Sequence, residues 1–124
     1  GANTAFSYIE KMNDLCLSRG IDYWTVLIPM EAQVNEELQG DIVRSHGLRS
    51  DDFDFMIPNK WLIQKHVESG IRVIDLTEAF RGKPQELSLY KPQDTHWNIK
   101  GNQLAANILF KTISANPSGM PVSK

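Results

Sequence analysis

Residues 23–29, YWTVLIP, decide how this chain folds. Seven residues without a charge, rich in β-branched and aromatic side chains and halted by Pro29, predict a strand buried on both faces. Such a strand belongs in a parallel sheet, whose partner lies further along the chain and is reached by a crossover. The second apolar block, IRVIDL at residues 71–76, is that partner.

Working outward, Thr4 to Ser18 carries Ala5, Ile9, Met12 and Cys16 at helical spacing, with Asn3 or Thr4 to cap the start and Gly20 to end it. Between the strands, residues 30–57 hold no sustained period beyond a short helix in EAQVNEEL, and SHGLRSDD is loop chemistry. Pro58 then stands where helices start, Trp61, Leu62, Lys65 and His66 follow at helical spacing, and Gly70 closes the segment. Its polar His66 is predicted on the helix surface. After residue 76 the chain is broken by Gly82, Pro84 and Pro92. Asn98 then caps a last helix whose buried stripe is Leu104, Ala105, Ile108 and Leu109. The order helix, strand, helix, strand, helix predicts an α/β fold: a partial doubly wound, flavodoxin-like parallel sheet with flanking helices. Residues 1–116 read as one α/β domain and 117–124 as a flexible tail.

The formal charge of -2 and pI near 5.9, with Lys and Arg scattered, exclude a nucleic-acid partner. The apolar runs fall well short of the ~20 residues a membrane helix needs. The single cysteine, Cys16, cannot form an internal disulfide and falls on the apolar face of the first helix. The chain opens on Gly1 rather than methionine, so an excised piece of a longer protein is expected.

Chemistry concentrates in DTHW, residues 94–97. Residues two apart in extended backbone point the same way, so Asp94 can orient the His96 imidazole as the acid of an acid–base pair. Such a pair also arises without catalysis, with Asp94 capping a turn, His96 partly exposed and Trp97 packing on the sheet. Glu31 and Asp75, at the carboxyl ends of the two strands, could line a cleft, although such carboxylates commonly cap the next helix or turn. His46 and His66 lack ligand spacing of their own, so no metal site is predicted, and no motif calls for a cofactor. Trp24 and Trp61 read as core.

The blocks VLIPMEAQVNEEL, GIRVIDLTEAF and LYKPQDTHWNIKGNQLAANIL together resemble the carboxyl-terminal part of SGNH hydrolase-like domains, especially the branch with the alginate O-acetyltransferases and related cell-envelope proteins. The resemblance spans roughly residues 5–113, and its most specific part is DTHW with Gly101 and Ala105-Ala106. It implies that His96 is the general base, that Asp94 fixes its tautomer, and that Trp97 walls the substrate site. It also implies an extracytoplasmic parent acting on acyl esters of a cell-envelope polysaccharide.

In that family the nucleophile is a serine on a Gly-Asp-Ser turn, and this sequence contains no Gly-Asp-Ser. None of its nine serines sits on a strand-to-helix elbow. Ser88 is nearest His96 in sequence. The expectation is therefore the carboxyl-terminal half of an SGNH-like esterase or O-acyltransferase domain, inactive by itself and inclined to self-associate through uncovered sheet edges. The alternative is a non-catalytic α/β module that binds carbohydrate or a protein partner.

Overall fold

The computed structural model describes residues 1–81, 88–92 and 94–116. The expected breaks at Gly82 and Pro84 and the expected flexible tail at 117–124 lie outside the described residues. The chain is mixed α/β. Helix α1 (Ala2–Leu17) leads to β1 (Trp24–Leu27), then α2 (Glu31–Val34), α3 (Glu36–Ser45), a 3-10 turn and α4 (Ile57–Ser69). Strand β2 (Arg72–Asp75), α5 (Thr77–Arg81), β3 (Tyr90–Lys91), β4 (Asp94–Trp97) and α6 (Ile99–Ala115) complete it.

The two apolar blocks pair in parallel, in register from Trp24 opposite Arg72 to Leu27 opposite Asp75. The N–H of Leu76 adds one more rung to the carbonyl of Leu27 at 3.2 Å. Burial on both faces, expected from YWTVLIP, does not hold: only Leu27 of β1 and Ile74 of β2 are buried, and the rest are half-buried. The cause is the size of the sheet. Among the described residues it has two strands, so each is an edge.

Local signals set the helix ends. Pro58 lies in the first turn of α4, and Gly70 ends it at φ 64°, a left-handed conformation that costs glycine nothing. Asn98 caps α6 as its side chain predicts. The short helix expected in EAQVNEEL is two, α2 and the start of α3, and α3 runs on to Ser45 where no period was expected. Asn35 accepts the N–H of Leu38 at 3.1 Å, and Glu36 and Glu37 occupy the positive first turn of α3.

Helix α1 departs from its expected face and cap. It starts at Ala2 without a side-chain cap, and its buried residue is Phe6 rather than Ala5 or Met12, the latter 49% exposed. Phe6 meets two rings of α4 edge-on, Trp61 at 6.1 Å and His66 at 5.1 Å between centroids. His66 is therefore no surface residue: it is fully buried, with Nδ1 bonded to the carbonyl of Leu62 at 2.7 Å.

On the other side of the molecule, Ile74, Leu76, Phe80, Leu89, Tyr90 and Ala105 form the main buried cluster. Each such aliphatic or aromatic side chain contributes about 1.5–3 kcal/mol of burial. The cluster joins the end of the parallel sheet to α6 and to the segment that carries Asp94 and His96.

Candidate active site

That segment is a strand pair, so the extended backbone expected at Asp94–His96 holds and the alternative of a turn does not. Strands β3 and β4 run antiparallel, with Tyr90 opposite Trp97 and Lys91 opposite Asp94, and with an irregular register between Tyr90 and Lys91. The phenol of Tyr90 donates to the carbonyl of Pro29 at 2.9 Å, which fastens the strand pair just past the carboxyl end of β1. Burial pushes the Tyr90 pKa up to about 12, against the nearby Trp97 indole, with the Glu31 charge adding to the rise. That indole N–H lies near the phenol but outside good hydrogen-bond geometry, and it is buried.

On the far side, α6 approaches closely because residue 101 has no side chain. A Cβ at Gly101 would strike the carbonyl oxygen of Leu89 and come within 3.1 Å of the Trp97 Cβ. The strand pair is thus held between the end of β1 and the start of α6.

Period-two alternation along β4 then sorts its residues. Trp97 turns to the core, where its ring stacks on Phe80 at 4.6 Å. Asp94 and His96 share the outer side. His96 Nδ1 hydrogen-bonds Asp94 Oδ1, and the backbone N–H of His96 donates to the same oxygen at 2.9 Å. These two contacts, the backbone one first, hold the Asp94 carboxyl below the usual carboxylate range. The His96 side chain is 80% exposed and that of Asp94 39%. With Nδ1 tied to a carboxylate, Nε2 is the nitrogen left open to solvent.

That arrangement matches the chemistry of an oriented base. A carboxylate at Nδ1 selects the tautomer with its lone pair on Nε2 and stabilises the imidazolium that forms when Nε2 takes a proton. The spacing in the sequence brings Asp94 and His96 together. Trp97 is separated from them by the alternation, and its described contacts are packing contacts.

The remaining candidates are occupied elsewhere. Asp75 Oδ1 accepts the N–H of Thr77 at 2.9 Å and its hydroxyl at 2.5 Å, so it caps α5. Glu31 accepts from Asn35 at 3.3 Å. Ser88 donates its hydroxyl to the carbonyl of Tyr90 at 3.0 Å and not to His96. His46 is exposed and bonds the carbonyl of Ile42 at 2.9 Å. Among the described residues no cluster of His, Cys, Asp or Glu is suited to a metal ion, and no helix is long and apolar enough to cross a membrane.

One feature of this end of the molecule escaped the sequence reading. Buried Gln33 donates to Asn59 at 2.8 Å and to the carbonyl of Phe55 at 3.0 Å, and buried Asn59 donates to Thr77 at 2.8 Å. Arg81 adds a bond to the carbonyl of Gln33 at 3.0 Å. The network joins the start of α4 to the segments that follow β1 and β2. Its only sequence signal is amides placed just after a strand and in a helix's first turn, which is common in loops as well.

An α/β chain with an Asp-x-His pair beyond the carboxyl end of a parallel strand fits the hydrolase and acyltransferase class. A family model described as the SGNH hydrolase-like domain of acetyltransferase AlgX matches residues 1–122. The chain belongs to that family. Comparison with curated proteins and with solved structures returned no match.

Proposed function

We propose that this chain carries the acid–base half of an acyl-transfer site, with His96 as general base and Asp94 as its orienting carboxylate. The observation that carries the reading is the Nδ1 bond to Asp94 combined with an exposed Nε2. Membership of the acetyltransferase family supports an acetyl ester as substrate, a cell-envelope polysaccharide as the acetylated partner and an extracytoplasmic site of action. The nucleophile is a serine on sequence beyond these 124 residues, since no Gly-Asp-Ser is present and Ser88 is committed to a backbone carbonyl. Further strands on the open edges of β1 and β2 complete a doubly wound, flavodoxin-like sheet. Without them the chain self-associates through those edges.

In this mechanism the serine oxygen forms a bond to the acetyl carbonyl carbon while its proton passes to His96 Nε2. The tetrahedral intermediate collapses as that proton moves to the departing alcohol, leaving an acetyl-enzyme. An acceptor hydroxyl, from sugar or water, then gives its proton to Nε2 as its oxygen bonds the acetyl carbon. The second tetrahedral intermediate collapses by breaking the bond to the serine oxygen, which takes the proton back from Nε2 and is regenerated. Asp94 remains ionised throughout and balances the imidazolium.

The test is turnover of an activated acetyl ester by this chain, by its His96→Ala variant and by a longer protein that includes Gly-Asp-Ser. The expected result is no activity from this chain and a burst from the longer protein that His96→Ala abolishes. A burst from this chain alone, lost in His96→Ala, would place the nucleophile within it, with Ser88 the first to mutate. A second reading is favoured by the backbone N–H of His96 sharing Asp94 Oδ1: a structural turn in a carbohydrate- or protein-binding module. That reading requires the longer protein to keep its activity in His96→Ala.

A further inference from the structure

Asn98 is tied into the strand pair more fully than helix capping requires. Its Oδ1 accepts the N–H groups of Lys100 at 2.8 Å and Gly101 at 3.1 Å, which is the cap. Its Nδ2 donates to the carbonyls of Ser88 at 2.7 Å and Tyr90 at 3.1 Å. Its backbone N–H donates to the carbonyl between them, Leu89, at 2.9 Å. One residue therefore takes three successive carbonyls, those of Ser88 and Leu89 just before β3 and of Tyr90 at its start. All four of its side-chain hydrogen-bonding positions toward backbone are used.

Capping alone asks only for an acceptor, and Ser or Asp supplies one equally well. The two amide donors are the surplus, and they act where the ladder is weakest. Strand β3 has two residues, and its register is irregular between Tyr90 and Lys91. Because side chains alternate with period two, a one-residue slip of β4 would turn Asp94 and His96 toward the core and Trp97 toward solvent. The Asn98 bonds lie immediately after the Tyr90–Trp97 pair and exclude that slip.

We propose that Asn98 is a positioning residue that fixes the register of β4 and so keeps the Asp94–His96 pair on the open face, an inference that rests on the reading of that pair as base and orienting acid. Among the described residues Asn98 makes no hydrogen bond to the ring or to the carboxylate. It acts through the strand that presents them.

The test uses this chain labelled with nitrogen-15 and compares it with Asn98→Ser and Asn98→Asp. Serine keeps a neutral cap acceptor and loses both amide donors. Aspartate keeps the strongest class of cap and sets a carboxylate against the Ser88 and Tyr90 carbonyls. The readout is the His96 ring tautomer, with the amide shifts of Leu104 and Ala105 reporting whether α6 is intact. The native chain is expected to show the Nδ1–H tautomer, and both variants a mixture in which Nδ1 is no longer held by Asp94, with α6 unchanged. If serine melts α6, the aspartate variant decides. An unchanged tautomer in a variant whose α6 is intact overturns the proposal. The measurement needs no turnover, so it separates the two readings. A released His96 together with an active His96→Ala longer protein would leave Asn98 a register clamp and remove the catalytic role; an unchanged tautomer would remove the clamp and leave catalysis standing.

Discussion

The packing between α1 and α4 and the strand pair before α6 use the same side chain in opposite ways. His66 and His96 each have Nδ1 engaged with an oxygen and Nε2 without a partner among the described residues. His66 is sealed under Phe6 with a backbone carbonyl as its partner, whereas His96 stands in solvent beside a carboxylate. A carbonyl fixes an imidazole without adding charge, so His66 serves as a space-filling ring. A carboxylate makes the charged ring affordable, and exposure lets a proton reach it. What distinguishes the proposed base from a core residue here is the partner and the access, not the residue type.

The sharpest way to break that contrast is to truncate each ring in turn. If His96 is the proposed base, His96→Ala lowers acyl transfer by the longer protein ~10²- to 10⁴-fold while changing stability by less than about 0.5 kcal/mol. His66→Ala is expected to do the reverse, costing about 2–4 kcal/mol through the cavity left beneath Phe6 with kcat unchanged at temperatures where the protein stays folded. Chemical denaturation and the ester assay together read both. A large stability loss in His96→Ala would dissolve the distinction.

The next effect in size concerns the wall behind the exposed pair. Gly101→Ala places a methyl against the Leu89 carbonyl, which is backbone and cannot swing aside. The expected cost is about 1–3 kcal/mol, with altered nitrogen shifts at His96 as the strand pair is pushed from α6. A neutral substitution would show that α6 is free to move away.

The smallest effect is in alkaline solution. The Tyr90 pKa is raised from 10.0 to about 12 by burial, so the protonated phenol belongs to the folded state. The corresponding stability is fully present below pH 10 and is lost as pH rises through 12. Tyr90→Phe is expected to cost about 1 kcal/mol at neutral pH, from the lost bond to Pro29, and to remove this part of the alkaline loss. Denaturation curves across that range check it. An alkaline loss of the same size in the variant would assign it to other groups.

Features with local causes were legible in the sequence. Pro58 and Gly70 bracket α4, Asn98 caps α6, two apolar blocks pair in parallel, and the Asp94–His96 contact follows from a spacing of two in extended backbone. Features with distant causes were not. His66 looks like a surface residue of α4 until Phe6 arrives from α1. The half-burial of β1 is not legible in YWTVLIP, because an apolar run tells what could be covered, not how many strands are there to cover it. That DTHW is paired as a strand is not visible in the sequence, because its partner is only Tyr90–Lys91, too short to leave a pattern. The short helix expected in EAQVNEEL covers the start of α3, which Asn35 and two glutamates mark, but Gly40 and scattered charges obscure its run to Ser45.

The Tyr90 phenol reaches Pro29 across 61 residues of chain, whereas the Asn98 amide reaches Ser88 across 10. Closing a long loop costs more chain entropy than closing a short one, and contacts between distant segments form later. The tether at Pro29 is therefore a late event in folding, made when the parallel strands are already aligned. The strand pair and α6 can assemble first as a local unit and dock afterwards. In pulse-labelled hydrogen exchange, amides of α6 should gain protection before those of β1 and β2. The Asp94–His96 pair would then take shape ahead of the sheet on which it is mounted.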